Sequence, residues 1–221
     1  MRRHFLFASI CLLAVTGAVQ AASISDGNFG TPSVAGGPGF MYNPTGSAWI
    51  FAGTSGLSIQ NVPGTTPWFT VTPPGGSGQA AFLQNYVGPL TTATSGIISQ
   101  SVSGLTVGDT YTLSFYAAQR PNYSVNPFTV TMGSTTLGSV TPGSVSFALY
   151  NETFTAISGT ELLSFTSNPG PAGNFDVDSI LANVNLAPGT ATPEPATFAL
   201  MLPLLAGLVW YSRRRANRKH A

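Results

Sequence analysis

Thr110-Tyr111-Thr112-Leu113-Ser114-Phe115-Tyr116-Ala117 alternates hydroxyl-bearing with largely apolar positions at every step. A β-strand turns successive side chains to opposite faces, so Tyr111, Leu113, Phe115 and Ala117 fall on one side. Phe128-Thr129-Val130-Thr131-Met132 repeats the pattern. Outward from these two, similar runs occupy Trp49 to Phe51, Leu57 to Gln60, Trp68 to Thr72, Ala80 to Gln84 and Ile97 to Val102. Others follow at Leu137 to Val140, Ser144 to Ala156, Leu162 to Thr166 and Phe175 to Leu186. Clusters of Gly, Pro, Ser and Asn separate the runs, and no capped helical pattern interrupts them. About ten short strands with hairpin signals predict an all-β fold, a jelly-roll β-sandwich, over residues 22–186.

Charge is distributed unevenly. Of the 8 Lys and Arg residues, only Arg120 lies between residues 22 and 192; it faces Asp26, Asp109, Glu152, Glu161, Asp176 and Asp178, for a net charge of −5. Such a surface repels phosphate backbones, which excludes nucleic acid as a partner. His4, His220 and Cys11 lie outside this stretch, so it holds no His, Cys or Lys. Ser-His-Asp and Cys-His catalysis, a lysine base and His or Cys zinc sites each need a residue that is missing. Carboxylate chemistry alone survives. A glycosidase would need two carboxylates flanking a sugar, and no pair here is spaced for that, so the reading is of a non-enzyme. Without disulfides, the domain must be held by its core.

Both ends of the chain are read as targeting segments. Arg2 and Arg3 precede an apolar stretch from Phe5 to Val19, and Val19-Gln20-Ala21 offers small residues for cleavage, so residues 1–21 read as a secretory signal peptide. Residues 187–192 form a linker. Pro193-Glu194-Pro195 then leads into an apolar run, 196–211, closed by Arg213-Arg214-Arg215 and a basic tail, 216–221. Arginines resist translocation, so the run stops in the membrane with the tail in the cytoplasm. As a helix it would rise about 24 Å, against a hydrocarbon core of roughly 30 Å. It spans marginally, and Pro203 interrupts its middle.

The order triplet, short apolar span and arginine cluster over residues 193–215 resembles the PEP-CTERM sorting signal of Gram-negative bacteria. That resemblance implies an exosortase as partner, with Pro193, Glu194, Pro195, Arg213, Arg214 and Arg215 as the sorting motif. It also implies residence in the inner membrane before processing, then release or transfer to the cell surface or extracellular matrix. Asp26-Gly27-Asn28-Phe29, Ile97 to Val102, Thr110 to Ala118 and Val177-Asp178-Ser179-Ile180 resemble the carbohydrate-binding, galactose-binding-like jelly roll that accompanies such signals. From it follows the expectation of a glycan-associated module of a polysaccharide matrix, with exopolysaccharide as partner. A purely structural surface protein and a carboxylate-dependent glycan hydrolase stand as alternatives. Relatives of this kind often join first and last strands through a calcium ion. Gly30 stands where the first acidic ligand would be, leaving Asp26 and Asp178 as candidates, and no cofactor is expected.

Arg120 begins the loop Pro121-Asn122-Tyr123-Ser124. A guanidinium forks onto paired hydroxyls and a tyrosine stacks on a pyranose face, so Arg120 and Tyr123 are the candidate ligand-binding pair. A salt bridge from Arg120 to one of the acids is the competing role. Trp49, Trp68 and Phe69 are further stacking candidates, or core.

Overall fold

The computed structural model describes residues 21–60, 62, 64, 67–86, 94–168 and 176–189. Nearly all of the signal peptide, the end of the linker and the whole sorting segment lie outside these residues. Among the described residues there is no helix; thirteen strands form two sheets packed face to face.

The first sheet runs in the order β1 (Phe40–Tyr42), β3 (Ser55–Ile59), β4 (Gln79–Tyr86), β13 (Asp176–Pro188), β7 (Thr110–Gln119), β11 (Ala148–Thr155). Two short strands attach to it, β5 (Thr94–Ser95) beside β4 and β8 (Ser124–Val125) beside β13. The second sheet is β10 (Thr135–Val140), β9 (Phe128–Met132), β12 (Thr160–Ser167), β6 (Ile97–Ser103), β2 (Ile50–Ala52). All pairings are antiparallel except that of β8 with β13.

The alternation in β7 acts as the sequence predicts. Tyr111, Leu113, Phe115 and Ala117 face the second sheet, meeting Phe128, Val130 and Met132 of β9 and Leu163 and Phe165 of β12. Phe165 packs edge-on against Phe115 at 5.2 Å, and Phe128 closes the aromatic triangle. Trp49 extends it, with its indole N–H donating to the carbonyl of Asp26 at 2.9 Å. This core lies wholly between Ala22 and Leu186.

Trp68 to Thr72 departs from the sequence reading. It is no strand but a loop, and it lays Trp68 and Phe69 over Ala80, Phe82, Ala118, Ile180 and Ala182 on the outer face of the first sheet. Trp68 stacks on Phe82 at 3.8 Å. The central strands of this sheet are therefore apolar on both faces at one end, which explains the unbroken Ala80-Ala81-Phe82-Leu83 run. The outer face beyond this second cluster is left open.

Candidate functional site

Arg120 is not at the surface. It directly follows β7 with only 6% of its area exposed, and its Nη1 donates to Asp178 Oδ2 at 3.1 Å. The guanidinium carbon lies 3.8 Å from the Trp68 ring centre and 3.9 Å from that of Tyr123, and Nε donates to the carbonyl of Pro67. Of the candidate ligand-binding pair, the guanidinium is thus buried between both rings and the carboxylate of Asp178, the geometry of the competing salt-bridge role, while Tyr123 stays half-buried. The physical cause is burial. A guanidinium taken out of water needs a counter-ion and stacking partners, and Asp178, Trp68 and Tyr123 supply them. Trp49 and Phe69 are core as well.

Asp178 and Asp26, the calcium candidates, each already hold protein partners. A cation at Asp178 would sit against Arg120. Asp26 has its Oδ1 occupied by the N–H of Gly30 at 2.7 Å and its Oδ2 by that of Thr31 at 3.2 Å, locking the turn. Among the described residues no three acidic, His or Cys side chains gather where they could hold a metal ion. The other acids are dispersed. Glu161 accepts the N–H groups of Ile157 and Ser158, and Glu152 lies over Gly138.

The open part of the first sheet's outer face forms a groove of about 580 Å³ over β7, β11 and β13. Its floor follows from register. Asn151 of β11, Ser114 of β7 and Asn185 of β13 are direct cross-strand partners, so they form one row of amide, hydroxyl, amide at about 4.8 Å spacing. Two residues along, Leu149 of β11 pairs with Tyr116 of β7, giving a parallel apolar and aromatic row roughly 6.7 Å away. The turn from Ile24 to Asn28 walls one side, with Asp26 the acid among the lining residues.

A bulge places the third wall. In β13, Ala182 pairs with Tyr116 and Asn185 with Ser114, so Asn183 and Val184 together oppose Phe115. Asn183 takes the extra position in a left-handed conformation, φ 47°. Asn tolerates that region better than most residues, and a bulge restarts the alternation. Leu181 and Val184 consequently both face the core although three apart, while Asn183 and Asn185 line the groove. The turn is fixed to this bulge: Val184 N–H donates to the carbonyl of Gly27 at 2.8 Å, and a β-carbon on Gly27 would collide with the Val184 carbonyl. Sequence reading missed all of these lining asparagines. One signal was present, the Leu181-Ala182-Asn183-Val184 stretch, whose apolar spacing of three breaks the period of two.

No protein-family model matches the chain, and no curated protein matches it in sequence. Among solved structures it is similar to a carbohydrate-binding module of family 61 in complex with β-1,4-galactotriose. That match has 13% identity and a TM-score of 0.40, covering 65% of this chain and 90% of the other. It is also similar to the K1 cleaved adhesin domain of Lys-gingipain from Porphyromonas gingivalis, at 15% identity and a TM-score of 0.44, over 69% and 95% of the two chains. The enzymatically active domain of tailspike protein 4 from bacteriophage CBA120 matches at 12% identity and a TM-score of 0.42. There 65% of this chain is covered, but only 20% of the tailspike.

Proposed function

We propose that the sandwich is an exported, non-enzymatic module that holds a neutral polysaccharide in the groove over β7, β11 and β13. The observation that carries this is the pair of rows on its floor. An amide both donates and accepts, and so does a sugar hydroxyl, so the Asn151, Ser114 and Asn185 row meets the hydroxyl edge of a glycan. Tyr116 and Leu149, one row over, offer apolar area to the C–H face of the ring. Charge favours a neutral chain: in residues 22–192 the one cation is Arg120, enclosed with Asp178, and Asp26 lines the groove. Anionic polymers are repelled.

Titration calorimetry of residues 22–190 with neutral β-linked glucans and galactans tests this. Replacing Asn151 and Asn185 together with Ala is expected to weaken binding about tenfold or more, each lost hydrogen bond contributing roughly 1 kcal/mol. A uronate-rich polymer should bind less well than its neutral counterpart. Unchanged affinity in the double variant would move the ligand elsewhere, and no binding to any neutral glycan would leave a purely structural surface protein.

Delivery is assigned to the C-terminal segment. Pro193-Glu194-Pro195, the apolar run 196–211 and the Arg213 to Arg215 cluster support sorting by an exosortase, first in the inner membrane and then at the cell surface or in the extracellular matrix. Glu194→Ala is expected to retain the protein in the inner membrane with its tail intact, read by fractionation and a C-terminal tag. Normal secretion of the variant would favour a plain anchor or another processing route.

A further inference from the structure

Two loops that cross between the sheets lie side by side at one end of the sandwich. Residues 104–109 join β6 to β7 and residues 156–159 join β11 to β12. They are tied by Gly108 N–H to the carbonyl of Ala156 at 2.8 Å, Ala156 N–H to Asp109 at 2.9 Å and Leu105 N–H to Gly159 at 3.2 Å. Leu105 and Ala156 turn into the core, yet Val107 and Ile157 point outward, 63% and 62% exposed. Leu162, at the start of β12 and 49% exposed, adds a third aliphatic at this end, beside the turn between β9 and β10 through the Gly133 N–H. Single exposed aliphatics are ordinary, but here three share one end of the molecule.

The chain leaves the domain at the same end. Pro188 pairs with Tyr111, and Gly189 N–H donates to the carbonyl of Thr110 at 2.7 Å, one residue from Asp109. Residues 190–195 then separate Gly189 from the apolar run. Six residues reach at most about 20 Å fully extended. If 196–211 spans the membrane, this end of the sandwich cannot be farther than that from the lipid surface.

We infer that this end is a membrane foot, in which Val107 and Ile157 enter the boundary between headgroups and acyl chains of the leaflet facing the exported domain. The inference rests on the membrane-anchoring reading of the C-terminal segment. The charged groups here are acids: Asp109 is exposed, and Glu161 is buried against the Ile157 and Ser158 amides. With no cation at this end among the described residues, attachment is apolar and does not need anionic lipid. The foot gives a short span a second hold.

The test uses residues 22–221, the chain without its signal peptide and without any native cysteine, reconstituted in phosphatidylcholine vesicles. An environment-sensitive dye is placed at Ser158→Cys, beside Ile157, and in a second sample at Ser146→Cys, at the opposite end before β11. Brominated lipid is expected to quench the dye at 158 at least twofold and leave that at 146 unchanged. Val107→Ser with Ile157→Ser should abolish quenching at 158 while the chain still floats with the vesicles. Flotation without quenching at 158, or quenching that survives the double substitution, overturns the foot and leaves the anchor standing. A chain that does not float overturns both.

Discussion

Arg120→Met is expected to lower the stability of the sandwich by about 3 to 5 kcal/mol, the range for removing one partner of a buried ion pair. The loss has two parts. Asp178, with no exposed area, is left as a buried carboxylate deprived of its counter-ion. The Trp68 and Tyr123 rings also lose the guanidinium between them, loosening the loop that carries Trp68 and Phe69 over the second cluster. Urea denaturation measures the effect, and the thermal midpoint should fall by roughly 10 °C for a domain of this size. Adding Asp178→Asn to Arg120→Met should recover part of the loss, since the buried charge then disappears as well. A single variant as stable as the parent would mean that water reaches Asp178. Glycan affinity measured on the fraction that remains folded should be unchanged, because Arg120 does not line the groove.

The fold was legible where one face of a strand is buried and the other wet. β9 and β12 alternate cleanly, and β7 does so as far as Ala117, because their inner side chains meet the opposite sheet and their outer ones are more open. β1, β5 and β8 are two or three residues long and leave no period to read. Trp68 to Thr72 misled because a loop laid flat on a sheet buries its large residues as a strand does. The groove was the least legible part. Asn151, Ser114 and Asn185 lie in three strands far apart in sequence, and only register brings them into one row. Arg120 drew attention as the lone cation of residues 22–192, and a salt bridge to an acid, the competing role, is what its burial against Asp178 shows.

Deleting Asn183 is expected to remove the bulge and leave the sandwich folded, at a cost of about 1 to 2 kcal/mol. Without the extra residue, Ala182, Val184 and Asn185 oppose Tyr116, Phe115 and Ser114 one to one, so Val184 and Leu186 keep their places in the core and Asn185 its place in the groove. What suffers is the turn, because the Val184 N–H that meets the carbonyl of Gly27 beside the bulge would be drawn into the regular ladder. Urea denaturation measures the cost; loss of a cooperative transition would mean that the strand end slips instead, which reverses every side chain beyond Ala182. Asn183→Gly separates the two roles of this residue. Glycine adopts a φ near 47° without strain, so the fold should persist with stability within about 1 kcal/mol of the parent. The groove would lose one amide, and affinity for a neutral glycan should drop several-fold. Persistence of the fold together with weakened binding is the outcome that ties the bulge to the ligand: the residue that takes the extra position opposite Phe115 is the one that turns an amide toward the sugar.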